Sequence, residues 1–176
     1  MELNIPIPED IQVTVEGNKF TVSKDQQSLD RAFPVRVVSI TVKDREVIIK
    51  SFSEVARSRA MVGTFRAHVN NMIKGLQDPF VYKLKVCAAH FPMTVKRVGG
   101  EVQLQNFLGE KKVRKVKISE DVNVKIEGQD ITISASDIEA AGAAASKIEQ
   151  MTRLCKKDRR VFQDGIFMTE KAGKKI

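Results

Sequence analysis

VTVEGNKFTVS at residues 13–23 and VKIEGQDITIS at residues 124–134 share one pattern, in which apolar and polar residues alternate on both sides of a glycine-containing turn. Alternation of this kind, interrupted by a two-residue turn, predicts a β-hairpin. Two further stretches alternate in the same way, ITVKDREVIIK at 40–50 around Asp44-Arg45 and VKRVGGEVQLQ at 95–105 around Gly99-Gly100. We therefore expect four antiparallel hairpins, spread along the chain.

A helix is expected after the second and the fourth of these hairpins. SFSE at 51–54 and SDIE at 136–139 both have the form of a capping box, in which serine and glutamate side chains satisfy free backbone N–H groups. Apolar residues then recur at steps of three and four, which predicts helices over 51–75 and 136–155. The predicted buried faces comprise Val55, Val62, Phe65, Val69, Met72 and Leu76 in the first helix, and Ile138, Ala141, Ala145, Ile148, Thr152 and Cys155 in the second.

The order hairpin, hairpin, helix thus occurs twice, and the corresponding elements are separated by 82, 84 and 85 residues. The likeness between 13–23 and 124–134 pairs a first hairpin with a second one, so it reflects hairpin chemistry in part, and the near-constant separations are what indicate an internal duplication. Antiparallel hairpins followed by a helix predict an α+β fold. We expect two tandem, duplicated small domains, 1–82 and 83–176, each an antiparallel sheet of hairpins packed on one helix.

Charge is distributed unevenly between these two halves. The 176 residues carry a formal net charge of +8, of which +1 belongs to residues 1–82 and +7 to residues 83–176. A basic balance of this size indicates an anionic partner such as nucleic acid or a membrane surface. Two cysteines are too few for a disulfide framework, which favours a reducing, intracellular compartment, and no apolar run approaches the length of a membrane span.

Patterns typical of enzymes and metal sites are weak. Cys87 and His90 stand three residues apart, but no second Cys/His pair follows at ligand spacing, so a structural histidine is the favoured interpretation. The Gly99-Gly100 pair is a turn between strands, without the Lys-Ser/Thr and helix of a phosphate-binding loop. We predict no catalytic residues, no metal ion and no cofactor.

Two basic segments are the strongest functional signal. RLCKKDRR at 153–160 and NFLGEKKVRKVKIS at 106–119 fall in the same half of the chain. Each alone suits a solvated helix end or strand, whereas together they predict a cationic surface that contacts several phosphates. Phe162 and Phe167 follow the first segment and suit either base stacking or the core. The basic residues are Arg153, Lys156, Lys157, Arg159 and Arg160 in the first segment, and Lys111, Lys112, Arg114, Lys115 and Lys117 in the second.

The stretch QMTRLCKKDRRVFQDGIFMTEK at 150–171 closely resembles the C-terminal motif of the large-subunit ribosomal protein six family, of the archaeal and eukaryotic type. That motif runs from a glutamine through spaced basic residues to Arg-x-Phe-x-Asp-Gly-aliphatic-aromatic and a closing basic residue, here Lys171. AHFPMTV at 89–95, NFLGEK at 106–111 and GTFRAHVNNMIKG at 63–75 are also similar to family stretches. The resemblance covers nearly the whole chain and favours an archaeal source.

The resemblance implies two tandem α+β domains and a structural, non-catalytic role in the large ribosomal subunit, near the stalk base and the sarcin–ricin region. It implies a cytoplasmic, ribosome-bound protein whose basic second domain contacts large-subunit RNA, with neighbouring ribosomal proteins at the stalk base. From its small net charge, we expect the first domain to be free to meet those protein neighbours. Asp164 and Gly165 are interpreted as a turn without a direct RNA role. The expected RNA contacts are Arg153, Lys156, Lys157, Arg159, Arg160 and Lys171 in the motif, with Lys111, Lys112, Arg114 and Lys115 in the second basic segment.

Other readings of the chain stay open at this point. A non-ribosomal protein that binds structured RNA would have the same basic surface. A tandem RNA-recognition-motif protein would need two helices and an exposed aromatic strand in each half. A two-domain enzyme would need polar residues that converge in a cleft, and a membrane-surface protein would need a basic amphipathic helix.

Overall fold

The computed structural model describes residues 2–25, 27–34, 37–155 and 157–176. The chain forms two compact units, Met1–Asp78 and Pro79–Ile176. The division therefore falls ahead of the predicted boundary at 82/83. The reason is that a continuous strand begins at Phe80, and Tyr82 within it is buried in the core of the second unit.

The first unit contains two three-stranded antiparallel sheets and one helix. The strand order is β1-β6-β5 in one sheet and β2-β3-β4 in the other. The core lies between the sheets and the helix, where Val22 of β3, Ile49 of β6 and Val62 of α1 are fully buried. The elements are β1 (Glu2–Pro6), β2 (Gln12–Glu16), β3 (Lys19–Lys24), β4 (Gln27–Ala32), β5 (Val38–Lys43), β6 (Glu46–Ser51) and α1 (Ala56–Gln77).

The second unit repeats this arrangement and extends it. A three-stranded sheet has the order β10-β9-β8, and a five-stranded sheet has the order β11-β12-β7-β13-β14. The elements are β7 (Phe80–Cys87), β8 (Thr94–Val98), β9 (Glu101–Gln105), a short 3-10 turn (Phe107–Gly109), β10 (Arg114–Lys117), β11 (Asn123–Glu127), β12 (Asp130–Ala135), α2 (Ile138–Gln150), β13 (Gly165–Lys171) and β14 (Lys174–Lys175).

The predicted duplication is confirmed by this topology. Strands β7 to β12 and helix α2 follow one another and pair in the same way as β1 to β6 and helix α1. All four predicted hairpins are present, as β2–β3, β5–β6, β8–β9 and β11–β12. The strands β13 and β14 are the addition, and β13 pairs with the edge of β7 that β12 leaves open.

Both predicted helix starts are wrong in detail. Ser51 is the last residue of β6 and pairs with Val38 of β5, so its backbone is committed to the sheet and α1 begins only after Val55. Val55 is 63% exposed and does not join the predicted buried face. In α2 the cap is Asp137, whose Oδ1 accepts a hydrogen bond of 2.9 Å from the N–H of Glu139.

The second helix is also shorter than predicted, because it ends at Gln150. Thr152 is still buried, but it lies in the turn after the helix, and Cys155 is exposed instead of packing in the core. Three of the four buried residues of α2 are alanines, with Ala141 and Ala145 completely enclosed, and the fourth is Ile148. The small side chains let the helix pack closely on the five-stranded sheet. Among the described residues no helix is both long and apolar enough to cross a membrane.

Candidate RNA-binding surface

The connection between α2 and β13 carries the first basic segment and is fastened at both ends. β13 pairs with β7 along one edge, and its other edge donates to side chains near the end of α2. The N–H of Ile166 donates to Thr152 Oγ1 at 3.0 Å, and the N–H of Met168 donates to Glu149 Oε1 at 3.4 Å. The residues in between therefore form an anchored loop on the surface of the second unit.

Asp164 is the central anchor of this loop. Its carboxylate is buried and accepts hydrogen bonds from the backbone N–H groups of Ala89 and His90, and its Oδ2 lies 2.8 Å from Nδ1 of His90. Burial alone would raise the pKa of this carboxyl, but the hydrogen bonds from Ala89 and His90 hold the pKa below its ordinary value. The ionised carboxylate thus ties the segment AHFP to the start of β13, a structural role that also accounts for His90.

The described cations of the first basic segment are exposed around a short turn. Asp158, the acid within the segment, shapes this turn by accepting at Oδ1 from the N–H of Arg160 at 2.9 Å. Arg153, Lys157, Arg159 and Arg160 are all exposed. The ammonium of Lys157 lies 4.8 Å from the centre of the half-buried Phe162 ring, and Lys156 lies outside the described residues.

Arg114 connects the second basic segment to the first. Its Nε and Nη2 donate to the two carboxylate oxygens of Glu110 at 2.9 and 2.6 Å, and its Nη1 donates to the backbone carbonyls of Met151 and Arg153. The guanidinium also lies 4.4 Å from the centre of the Phe107 ring. Because these contacts occupy the fork, Arg114 stands apart from the other expected RNA contacts and acts as a clamp between the strand β10 and the end of α2.

Glu110 marks the place where the two basic segments meet. The hydrogen bond from Arg114 lowers the pKa of Glu110, and the nearby charges of Lys157 and Lys112 lower it further. Lysines from separate parts of the chain therefore share one region of the surface. Lys111, Lys112 and Lys115 are exposed there, and a shallow cavity of about 490 Å³ alongside is lined by Arg114, Lys115, Val116, Lys117, Lys147, Gln150 and Met151.

Lys147 was not among the predicted site residues. Its position on the exposed face of α2 is the signal that could have identified it as a member of this surface. Lys171 differs from the other expected contacts in position, because it pairs with Lys174 at the far end of β13. With Lys174 and Lys175 it forms a separate exposed group of cations. Phe167 is 37% exposed and does not join the core.

The chain matches one protein family and resembles proteins from three archaea. The sequence model of the family described as ribosomal protein L6 matches residues 7–78 and 91–165, with one segment in each unit. The chain is 40% identical to the large ribosomal subunit protein uL6 of Nanoarchaeum equitans, in an alignment that covers 100% of this chain and 96% of the relative. It is 38% identical to the uL6 protein of Natronomonas pharaonis, covering 97% of this chain and 96% of the relative. With the uL6 protein of Methanococcus vannielii the identity is 41%, over 97% of this chain and 93% of the relative.

Proposed function

Since this chain belongs to the ribosomal protein L6 family and is a protein of the large ribosomal subunit, we propose that it binds large-subunit ribosomal RNA through the basic face of its second unit. Proteins of this family are structural, non-enzymatic components of the ribosome. The observation that supports the proposal best is that Arg114 joins the two basic segments, by donating to Glu110 and to the backbone carbonyls of Met151 and Arg153. This contact gathers exposed cations from distant parts of the sequence.

The proposed contacts are phosphate contacts. Lysine and arginine on a convex surface bind a folded RNA mainly through its backbone, and side chains do not enter its deep major groove. The proposal assigns such contacts to Arg153, Lys156, Lys157, Arg159, Arg160, Lys111, Lys112, Lys115 and Lys171, with Arg114 as the clamp that positions them.

We further propose the placement that the family resemblance implies, near the stalk base and the sarcin–ricin region of the large subunit. In that position the first unit, which is nearly neutral, packs against neighbouring ribosomal proteins at the stalk base. Its small net charge supports this division of labour, because a surface without excess cations gains little from counterion release.

Binding of the full chain to a large-subunit RNA fragment with the sarcin–ricin region tests the proposal, with unrelated RNA of equal length as the control. Both affinities are measured over a range of salt concentrations. A triple variant, Lys157→Gln, Arg159→Gln and Arg160→Gln, removes three cations from the proposed surface. Since each phosphate contact contributes about 0.7 to 0.9 to the slope of log K against log salt, loss of three contacts should reduce the slope by about 2 to 3.

A matched control removes three exposed cations of α1, through Arg57→Gln, Arg59→Gln and Arg66→Gln. This variant loses the same charge and should keep the slope of the unchanged chain. Equal losses in the two variants would refute the assignment of binding to the second unit. Equal affinity for both RNAs would instead favour a protein that binds structured RNA generally.

A further inference from the structure

A cleft of about 1010 Å³ lies between the end of α2, the strand β13 and the basic loop, which is the connection between them that carries the first basic segment. Its lining combines positively charged and aromatic side chains. Arg153 and Arg159 contribute positive charge, and Phe162 and Phe167 contribute aromatic rings. Neither the family match nor the proposed phosphate contacts assign a role to this cleft.

Phe167 is held in a fixed position at the cleft. It is preceded by Ile166, whose fully buried side chain takes the core-facing place on the strand. The ring of Phe167 instead lies over Gly165, where a Cβ atom would come within 3.1 Å of Cζ. The absence of a side chain at Gly165 therefore lets the ring rest against the backbone, and 37% of Phe167 stays accessible. A rigid, partly exposed aromatic ring provides a surface on which a base can stack.

The two carboxylates that line the cleft, Asp164 and Glu149, are less accessible than its two arginines, which are exposed. Asp164 is saturated by Ala89 and His90, and Glu149 accepts from the N–H of Met168. Within the described part of the chain, neither Arg153 nor Arg159 forms a salt bridge. An aromatic platform that lines the same cleft as two such guanidinium groups has the chemistry of a nucleotide site, since arginine contacts phosphate while the base stacks.

We propose that this cleft binds one unpaired nucleotide of the ribosomal RNA, with its base stacked on Phe167 and its flanking phosphates on Arg153 and Arg159. The inference rests on the proposed RNA-binding function and adds to it a contact that phosphate binding alone does not require. Sequence-specific recognition of RNA generally uses such unstacked bases. The cleft thus supplies selectivity, while the surrounding lysines supply affinity.

The chain contains no tryptophan, so Phe167→Trp introduces a single indole at the proposed stacking position, whose emission can be excited selectively in the presence of Tyr82. Addition of the sarcin–ricin RNA fragment should quench its fluorescence strongly, because a stacked base deactivates the indole. The matched control is Phe52→Trp, which replaces an aromatic residue that is 64% exposed in the first unit. Its fluorescence should change little when the same RNA is added.

Phe167→Leu provides a second, independent test. Leucine keeps an apolar side chain of similar reach and removes the aromatic face, so the affinity should fall about fivefold to a hundredfold. The slope of log K against log salt should not change, because no charge is removed. Urea unfolding of the variant is monitored by the emission of the buried Tyr82. An unchanged midpoint shows that the second unit still folds.

The outcomes separate this inference from the proposed function. Selective quenching at position 167 together with a weaker Phe167→Leu variant supports the nucleotide site. Absence of quenching, with Phe167→Leu binding as tightly as the unchanged chain, overturns the nucleotide site. In that case the loss of slope in the variant with Lys157, Arg159 and Arg160 replaced still decides the proposed function by itself.

Discussion

Replacement of Asp164 by asparagine should destabilise the second unit, although the two side chains have nearly the same size. The carboxylate accepts from the backbone N–H groups of Ala89 and His90, and contacts His90 Nδ1 at 2.8 Å, while only 1% of its side-chain surface is exposed. An asparagine retains one acceptor oxygen, which can still serve Ala89, but it has no charge and presents an NH₂ group on its other side.

The size of the effect follows from these contacts. Hydrogen bonds to a charged group contribute about 1.5 to 3 kcal/mol each, and neutral ones about 0.5 to 1.5 kcal/mol. Conversion of the bonds to Ala89 and His90 from charged to neutral therefore predicts a loss of about 2 kcal/mol. Asp164→Ala leaves both backbone N–H groups without their acceptor, so its loss should reach about 3 to 5 kcal/mol.

Urea unfolding, followed by the fluorescence of Tyr82, measures this loss of stability in the second unit. Tyr82 is the only tyrosine of the chain, and it is buried in the core of the second unit. Asp121→Asn, which changes an exposed acid in the same unit, serves as the matched control and should leave the midpoint unchanged.

The difference between the unchanged chain and Asp164→Asn should also depend on pH. The pKa of Asp164 is lower in the folded state than the ordinary value of about 3.9 expected for the unfolded chain. The carboxylate therefore contributes its full stability above about pH 4, and this contribution disappears as the pH falls through the folded-state pKa. The two stabilities should differ by a constant amount near pH 5 and converge towards pH 3. A difference that stays the same over that range, or an Asp164→Asn variant as stable as the Asp121→Asn control, would refute the reasoning.

Three further substitutions test the packing that supports the RNA-binding surface. Arg114→Lys keeps the charge but loses the two-pronged contact with Glu110, so urea unfolding should show a loss of about 1 to 2 kcal/mol. Asp137→Ala should cost about 1 kcal/mol, whereas Asp137→Ser, which can still cap α2, should cost much less in the same measurement. Gly142→Ala should fail to stabilise α2, because its Cβ would lie 3.2 Å from the Tyr82 hydroxyl, but in a Tyr82→Phe background thermal unfolding by circular dichroism should show a gain of up to about 1 kcal/mol.

The sequence was sufficient to predict features that depend on neighbouring residues. Each hairpin has an alternating apolar pattern, and three of the four have a glycine at positive φ in the turn, as at Gly17, where φ is 60°, and Gly128, where φ is 62°. The turn between β5 and β6 instead has two non-glycine residues at positive φ, Asp44 and Arg45. The buried face of α1 from Val62 to Leu76 follows from helical spacing alone. The confirmed duplication has the same basis, since it compares one local pattern with another.

Features that depend on long-range partners were not predictable in this way. SFSE at 51–54 fits a capping box, yet Ser51 is held in β6 by its pairing with Val38, and tertiary structure overrides the local signal. The separation of Arg114 from the other cations depends on Glu110 and on the carbonyl groups at the end of α2, which lie 37 and 39 residues later in the chain. Asp164 likewise reaches 75 residues back to Ala89, so the sequence shows a turn but not the anchor.

The two units show how one copy of a repeated fold acquires additional strands. β7 corresponds to β1. In the second unit the edge of β7 that β12 leaves open pairs with β13. The C-terminal motif therefore contains a strand of the sheet as well as the proposed binding segment. An exposed edge strand is a site for unwanted pairing, and here the outer edge of β13 is in turn occupied by Thr152, Glu149 and β14. The basic loop is the segment that connects the end of α2 to the start of β13. The sheet extension therefore holds both ends of this loop, and the proposed RNA-binding surface depends on the same hydrogen bonds as the stability of the second unit.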